Sequence, residues 1–370
     1  MPAATIPPGF IGRLVQRSNY AYANARVRVR RSKLLPRDTY PKLLKMDIPE
    51  ITRFIEATEY GRDINDLAAR FRGIDLLENS LNVNEERNYA EVRSFAKGPV
   101  GALVGRYLER FEIWNLKAIL RGRFWGAPAE EVQRELLIEN REDFEFYHDL
   151  MTAEGQGIQP LVEALASDPK GAAFHKVLRE VMARVPDDAL LLQHFEDALD
   201  RAYYANLLAT IPPGDPDVDL FLQFLRKEID VRNLSVLLRF EWRGDPSTRV
   251  LEFMMPGGLE LDEGALRRLA EATDRAELVE RLKEFRIHED IKEALAEAQQ
   301  TNSLTPVLLA LTRSLADFAQ RFSYRNPLSV LPIINYLLRK HLEVRNLRAI
   351  ARGKQSELTE EQIENLLVVI

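Results

Sequence analysis

Apolar positions along this chain recur at helical spacing, and three stretches repeat one pattern. They read EIWNLKAILR over 112–121, DVRNLSVLLR over 230–239 and EVRNLRAIARG over 343–353. Aligned without gaps, they share an acid, a β-branched residue, Asn-Leu, a small apolar residue, Ile or Leu, and Arg. Asn115 and Asn233 lie 118 residues apart, and Asn233 and Asn346 lie 113 apart. Solenoid repeats run about 20–50 residues, so each copy is expected to mark a small domain rather than one layer of a stack. Residues four before and four after each Asn are apolar: Phe111 and Ile119, Ile229 and Leu237, Leu342 and Ile350. With Ile113/Leu116, Val231/Leu234 and Val344/Leu347 they form a broad face that includes the Asn itself. An unpaired buried amide costs about 1–3 kcal/mol, so a fixed hydrogen-bond partner on a neighbouring segment is expected for each Asn.

The rest of the chain also predicts helices. Pro2, Pro7, Pro8 and Gly9 make Met1–Phe10 read as a loose tail, with residues 1–15 as a whole an extension, and a basic, alanine-rich helix is expected from about Ile11 to Lys33; RVRVR alternates like a strand, but the preceding AYANA favours a helix. Helix starts are read near Asp38 and at Pro49, the latter helix ending at Gly61, and helical patterning continues over 63–104. After the break at Gly126-Ala127-Pro128 come VQRELLIE, a loop at Gly155-Gln156-Gly157, QPLVEALAS, HKVLREVMARV and a long helical stretch over 187–209. Pro212-Pro213-Gly214-Asp215-Pro216 is a hard turn before the second copy. A loop at Pro256-Gly257-Gly258, further short helices over 263–299 and NPLSVLP lead to the third. The expectation is an all-α chain in three helical repeat units, 1–126, 127–244 and 245–370.

Lys117 and Arg121, Arg232 and Arg239, and Arg345, Arg348 and Arg352 fall on a helix edge away from the apolar face. That edge reads either as a solvated surface or as three related basic stripes meeting an acidic partner. Asn115, Arg121, Asn233, Arg239, Asn346 and Arg352 are therefore the candidate residues, for a structural repeat or a partner interface. A net charge of −6 argues against generic nucleic-acid binding. The chain has no cysteine, hence no disulfide, thiolate metal site or cysteine nucleophile. No apolar run approaches the length of a membrane span, and no signal peptide is visible.

Catalytic patterns are missing. There is no GxxxxGK[ST] loop to cradle phosphates, no HExxH pair among the five histidines and no GxSxG elbow. Catalytic, cofactor and metal residues are accordingly expected to be none.

Tyr20 to Leu35, EATEYG over 56–61, LDRAYY over 199–204 and NPLSVLPIINYLLRKHLEVRNLRAIARGK over 326–354 carry a resemblance. They resemble the C subunit of the archaeal and bacterial V/A-type ATPase/ATP synthase, itself similar to the eukaryotic V-ATPase d subunit. The last stretch is the most specific, joining a proline break, tyrosine, acid-x-x-Asn and Arg-Gly-Lys. The resemblance implies three similar helical domains with pseudo-threefold symmetry, shaped like a funnel, and no catalytic residues. It also implies seating on the cytoplasmic end of the membrane rotor ring of proteolipid subunits, with the D and F subunits of the central shaft in the funnel. On that reading the chain couples shaft to ring within a hetero-oligomeric complex, peripheral to the membrane. A free-standing α-helical scaffold and an enzyme with a carboxylate site in an inter-domain cleft are the alternatives.

Overall fold

The computed structural model describes residues 8–138, 140–155, 157–184, 191–244 and 247–369. Expectations at residues 1–7, 139, 156, 185, 187–190, 245 and 370 lie outside these. The described residues form helices and connecting turns with no strand, an all-α protein. The chain divides into two compact units, each built from discontinuous segments. One comprises Met1–Leu108, Gly214–Phe221 and Ala316–Ile370; the other, Glu109–Pro213 and Leu222–Leu315.

In the first unit the helix Leu331–Gln355, which carries Asn346, packs against both Gly73–Phe95 and the N-terminal helix Pro8–Arg31. The helix begins at Pro8, so residues 8–15, which the sequence places in the loose tail and its extension, are helical. The core joins Leu77 and Leu81 to Leu347, Ile350 and Ala351, with Ile51, Ile55 and Ile363 around them. Each Leu or Ile among them contributes roughly 1.5–3 kcal/mol by leaving water. The helix Ile48–Glu56 starts at the expected proline and is closed by a capping box between Asp47 and Glu50. Its end differs from expectation. The helix stops at Glu56, and Gly61 opens the next one, Gly61–Leu67. Glycine is needed there because a Cβ at position 61 would lie 2.2 Å from the Glu56 carbonyl oxygen.

The second unit contains the helix Arg110–Trp125, which carries Asn115 and packs on Leu191–Thr210. Gly126 ends the former in the left-handed conformation (φ 70°), its N–H donating to the Gly122 carbonyl. The Asn233 helix, Pro216–Arg243, belongs to this unit from Leu222 onward. Asn140, Asp262 and Asp274 cap the helices Arg141–Thr152, Glu263–Ala270 and Arg275–Leu282 with their side-chain oxygens. VQRELLIE is helical only as far as Gln133; residues 136–138 run without helical structure.

Candidate functional site

Each repeated Asn is buried and held at two points. Asn115 Nδ2 donates to the Leu137 carbonyl at 2.6 Å, and the Leu137 N–H donates back to Oδ1 at 2.9 Å. Asn233 does the same with Met255 at 2.8 Å in both directions. Asn346 does so with Val368 at 2.8 and 2.9 Å. The partner is 22 residues downstream in all three copies. Each side-chain amide thus satisfies both main-chain groups of one residue in the segment returning past the helix.

Two further positions complete the closure. Seven residues after the Asn stand Gly122, Phe240 and Gly353; seventeen after it stand Val132, Val250 and Ile363. A Cβ on Gly122 would come within 2.2 Å of Val132 Cγ2, and one on Gly353 within 2.6 Å of Ile363 Cγ1. The first and third closures therefore press an aliphatic side chain onto a bare helix backbone. The second instead packs Phe240 against Phe253, with ring centroids 5.1 Å apart.

The acid three residues before the Asn is also engaged. Asp230 accepts the backbone N–H groups of Leu259, Glu260 and Leu261 at 3.1, 2.8 and 3.1 Å. A Cβ at Gly258 would fall 2.1 Å from Asp230 Oδ1, so the glycine turn seen in the sequence wraps a buried carboxylate. Glu343 accepts from the Leu35 N–H (2.5 Å), the Tyr60 hydroxyl (2.7 Å) and Lys340 (3.0 Å).

The three arginines do not behave alike. Arg121 grips Glu196 through Nε and a terminal nitrogen at 2.6 and 2.9 Å. Arg352 grips Glu78 likewise, at 2.5 and 3.3 Å. Arg239 is exposed and has no ion pair among the described residues. One helical turn back, Lys117 binds Asp200 at 2.5 Å and Arg348 binds Asn82. Glu78 and Glu196 are 118 residues apart, as are Asn82 and Asp200; a further step of 113 residues reaches Leu309 and Arg313, neither an acid. Asp200 is shared with Arg232 at 2.7 Å. Burial alone would raise the Asp200 carboxyl, but Arg232 and Lys117 outweigh it and hold it below the usual range. Beside it, burial first, then Asp200 and Glu196, push Asp197 up to about 7 despite Lys117. The basic edge read from the sequence is thus partly covered, with the Lys117 side chain only 13 % exposed.

Among the described residues no cluster of His, Asp or Glu is placed to hold a metal ion, and no helix is long and apolar enough to cross a membrane. The model of the ATP synthase (C/AC39) subunit family matches residues 23–366. The chain belongs to that family. The A-type ATP synthase C subunit of Methanococcoides burtonii is 36 % identical over 95 % of both chains. The Methanosarcina acetivorans protein of the same name is 36 % identical over 95 % of this chain and 94 % of its own. That of Haloferax volcanii is 36 % identical over 95 % and 98 %. The match to the C/AC39 family takes in all three Asn closures except the backbone partner Val368, two residues beyond the matched span. What sequence inspection missed were the partners Leu137, Met255 and Val368. Their signal was an apolar pair at constant distance from the Asn: Leu136-Leu137, Met254-Met255 and Leu367-Val368.

Proposed function

We propose that this protein is a non-catalytic central-stalk subunit of a V/A-type rotary ATPase/ATP synthase, joining the central shaft to the membrane rotor ring and passing torque between them. The observation that carries this reading is the family match over 23–366, on a chain built around three copies of one closed helical motif. Moving one charge through 100 mV makes about 2.3 kcal/mol available, and several such steps support one ATP. A part that transmits this in small increments has to resist deformation. Close-packed helices compress little, and each copy is closed by paired hydrogen bonds to a buried asparagine rather than by apolar contact alone. In this reading the three copies are related by a pseudo-threefold axis in a funnel. The funnel rests on the cytoplasmic end of the proteolipid ring and receives the D and F subunits of the shaft. Each of these interfaces is expected to bury on the order of 1,600 Å².

The test is removal of the chain from the assembled complex in native membranes. ATP hydrolysis is expected to continue while ion pumping stops, and the shaft is expected no longer to co-purify with the ring. Pumping that persists in full without the chain would overturn the reading.

A further inference from the structure

The second unit holds a cleft of about 390 Å³ between the Asn115 helix, the Leu191–Thr210 helix and the Asn233 helix. Five basic side chains line it, against three carboxylates. Arg110 is committed elsewhere, in a bidentate pair with Glu228 at 2.7 and 2.6 Å. Lys117 and Arg232 share Asp200, and Arg121 holds Glu196. Arg239 is left over. No carboxylate among the described residues lies within ion-pair distance of it, while its equivalents Arg121 and Arg352 are both taken. The remaining acid, Asp197, does not fill the role: its Oδ2 is buried without a hydrogen-bond partner, and its carboxyl is pushed up to about 7 by burial. Trp114 stands on the cleft wall at 40 % exposed. Seven and eleven residues further along the same helix face come Arg121 and Trp125, the latter 74 % exposed.

We infer that this cleft is a docking site in which Arg239 receives an aspartate or glutamate of another polypeptide in the complex, with Trp114 packed against the same segment. A polypeptide fits better than a small anion. A lone guanidinium holds a free anion weakly, and a small anion makes no use of the exposed part of the Trp114 side chain. Exposed Trp and Arg together are the side chains that dominate interface energies. The consequence is asymmetry: of three equivalent arginines, two lock the protein's own helices and one reaches outward.

This inference rests on membership of the assembled synthase proposed above, and one experiment separates the two. R239K keeps the charge and places an amine at that position. The complex carrying R239K is purified through a tag on the chain and treated with a zero-length carbodiimide. Such a reagent joins an amine to a carboxylate only when the two are in ion-pair contact. Peptide mass spectrometry is expected to find position 239 linked to an Asp or Glu of a different polypeptide of the complex. A link only to Glu196 or Asp197, a link to a second copy of this chain, or no link at position 239 in the intact complex overturns the docking site while leaving the proposed function standing. Failure of the tagged wild-type chain to bring down any other synthase component overturns the proposed function and, with it, the docking site. R239E supplies the second arm: at least a tenfold loss of complex recovered at 0.2 M salt is expected, against less than threefold for K283E, a change at an exposed lysine paired within its own helical segment. Equal loss for the two variants overturns the inference.

Discussion

Asn346 donates to the carbonyl of Val368 and accepts from the N–H of the same residue, so one side chain occupies both polar groups of a peptide segment 22 residues away. No second side chain is required. The geometry recurs at Asn115 and Asn233 even though the residues they hold, Leu137 and Met255, differ in type.

Alanine at these positions strands two main-chain groups. Met255 and Val368 are buried, whereas Leu137 is half-buried and water reaches it more readily. N233A and N346A are expected to cost about 2–4 kcal/mol each and N115A about 1–2 kcal/mol, read as shifts in urea denaturation. N346D keeps the acceptor but loses the donor and sets a carboxylate against a carbonyl oxygen. It should be no milder than N346A.

A methyl group at Gly353 meets Ile363. G353A is expected to destabilise by about 1–3 kcal/mol, and the double variant G353A/I363A to recover part of that loss beyond additivity. A denaturation cycle on the four proteins measures the coupling. Zero coupling would mean the contact is relieved elsewhere.

Asp197 binds its proton more tightly folded than unfolded, since burial raises the carboxyl to about 7 from 3.8. The folded state therefore holds the extra proton between about pH 4 and 7, and stability from this group falls as pH rises through that window. D197N removes the slope. It is expected to match the wild type near pH 4 and to exceed it at pH 8, on the order of 1–3 kcal/mol once the partial exposure of the group is allowed for. Melting curves across this range decide the matter.

Lys340 is fully buried, bonded to Glu59, to the Tyr60 hydroxyl at 2.8 Å and to Glu343 at 3.0 Å. K340M leaves two carboxylates facing each other in the core. A loss of about 3–5 kcal/mol is expected, partly restored in K340M/E59Q. Calorimetry of both variants provides the check.

Much of this is legible in the residues. The helical period, the three copies and the inward position of each Asn follow from side-chain spacing, which a sequence displays directly. What each Asn grips does not follow, because the grip is on backbone, and backbone atoms are the same at Leu137, Met255 and Val368. Residues 136–138 resemble a helix because the apolar pair fits a helix face as well as an extended segment. The end of the helix after Pro49 is obscured for a related reason: Gly61 resembles a terminator, yet it serves close approach to the Glu56 carbonyl. The arginines look like one class while only their own helix is in view. Their fates are set by Glu78 and Glu196 on other helices.

The unchanging count from each Asn to the residue it holds contrasts with the unequal distances between copies, 118 and 113 residues. The molecule behaves like a set of clasps threaded on a strap: the jaw of each clasp has a set width, while the strap between clasps tolerates lengthening. One residue inserted between Gly353 and Ile363 would present the wrong peptide group to Asn346 and unfasten that third of the chain's closures. An affinity tag or fluorescent label spliced into the exposed turn at Gly214-Asp215 leaves every clasp shut.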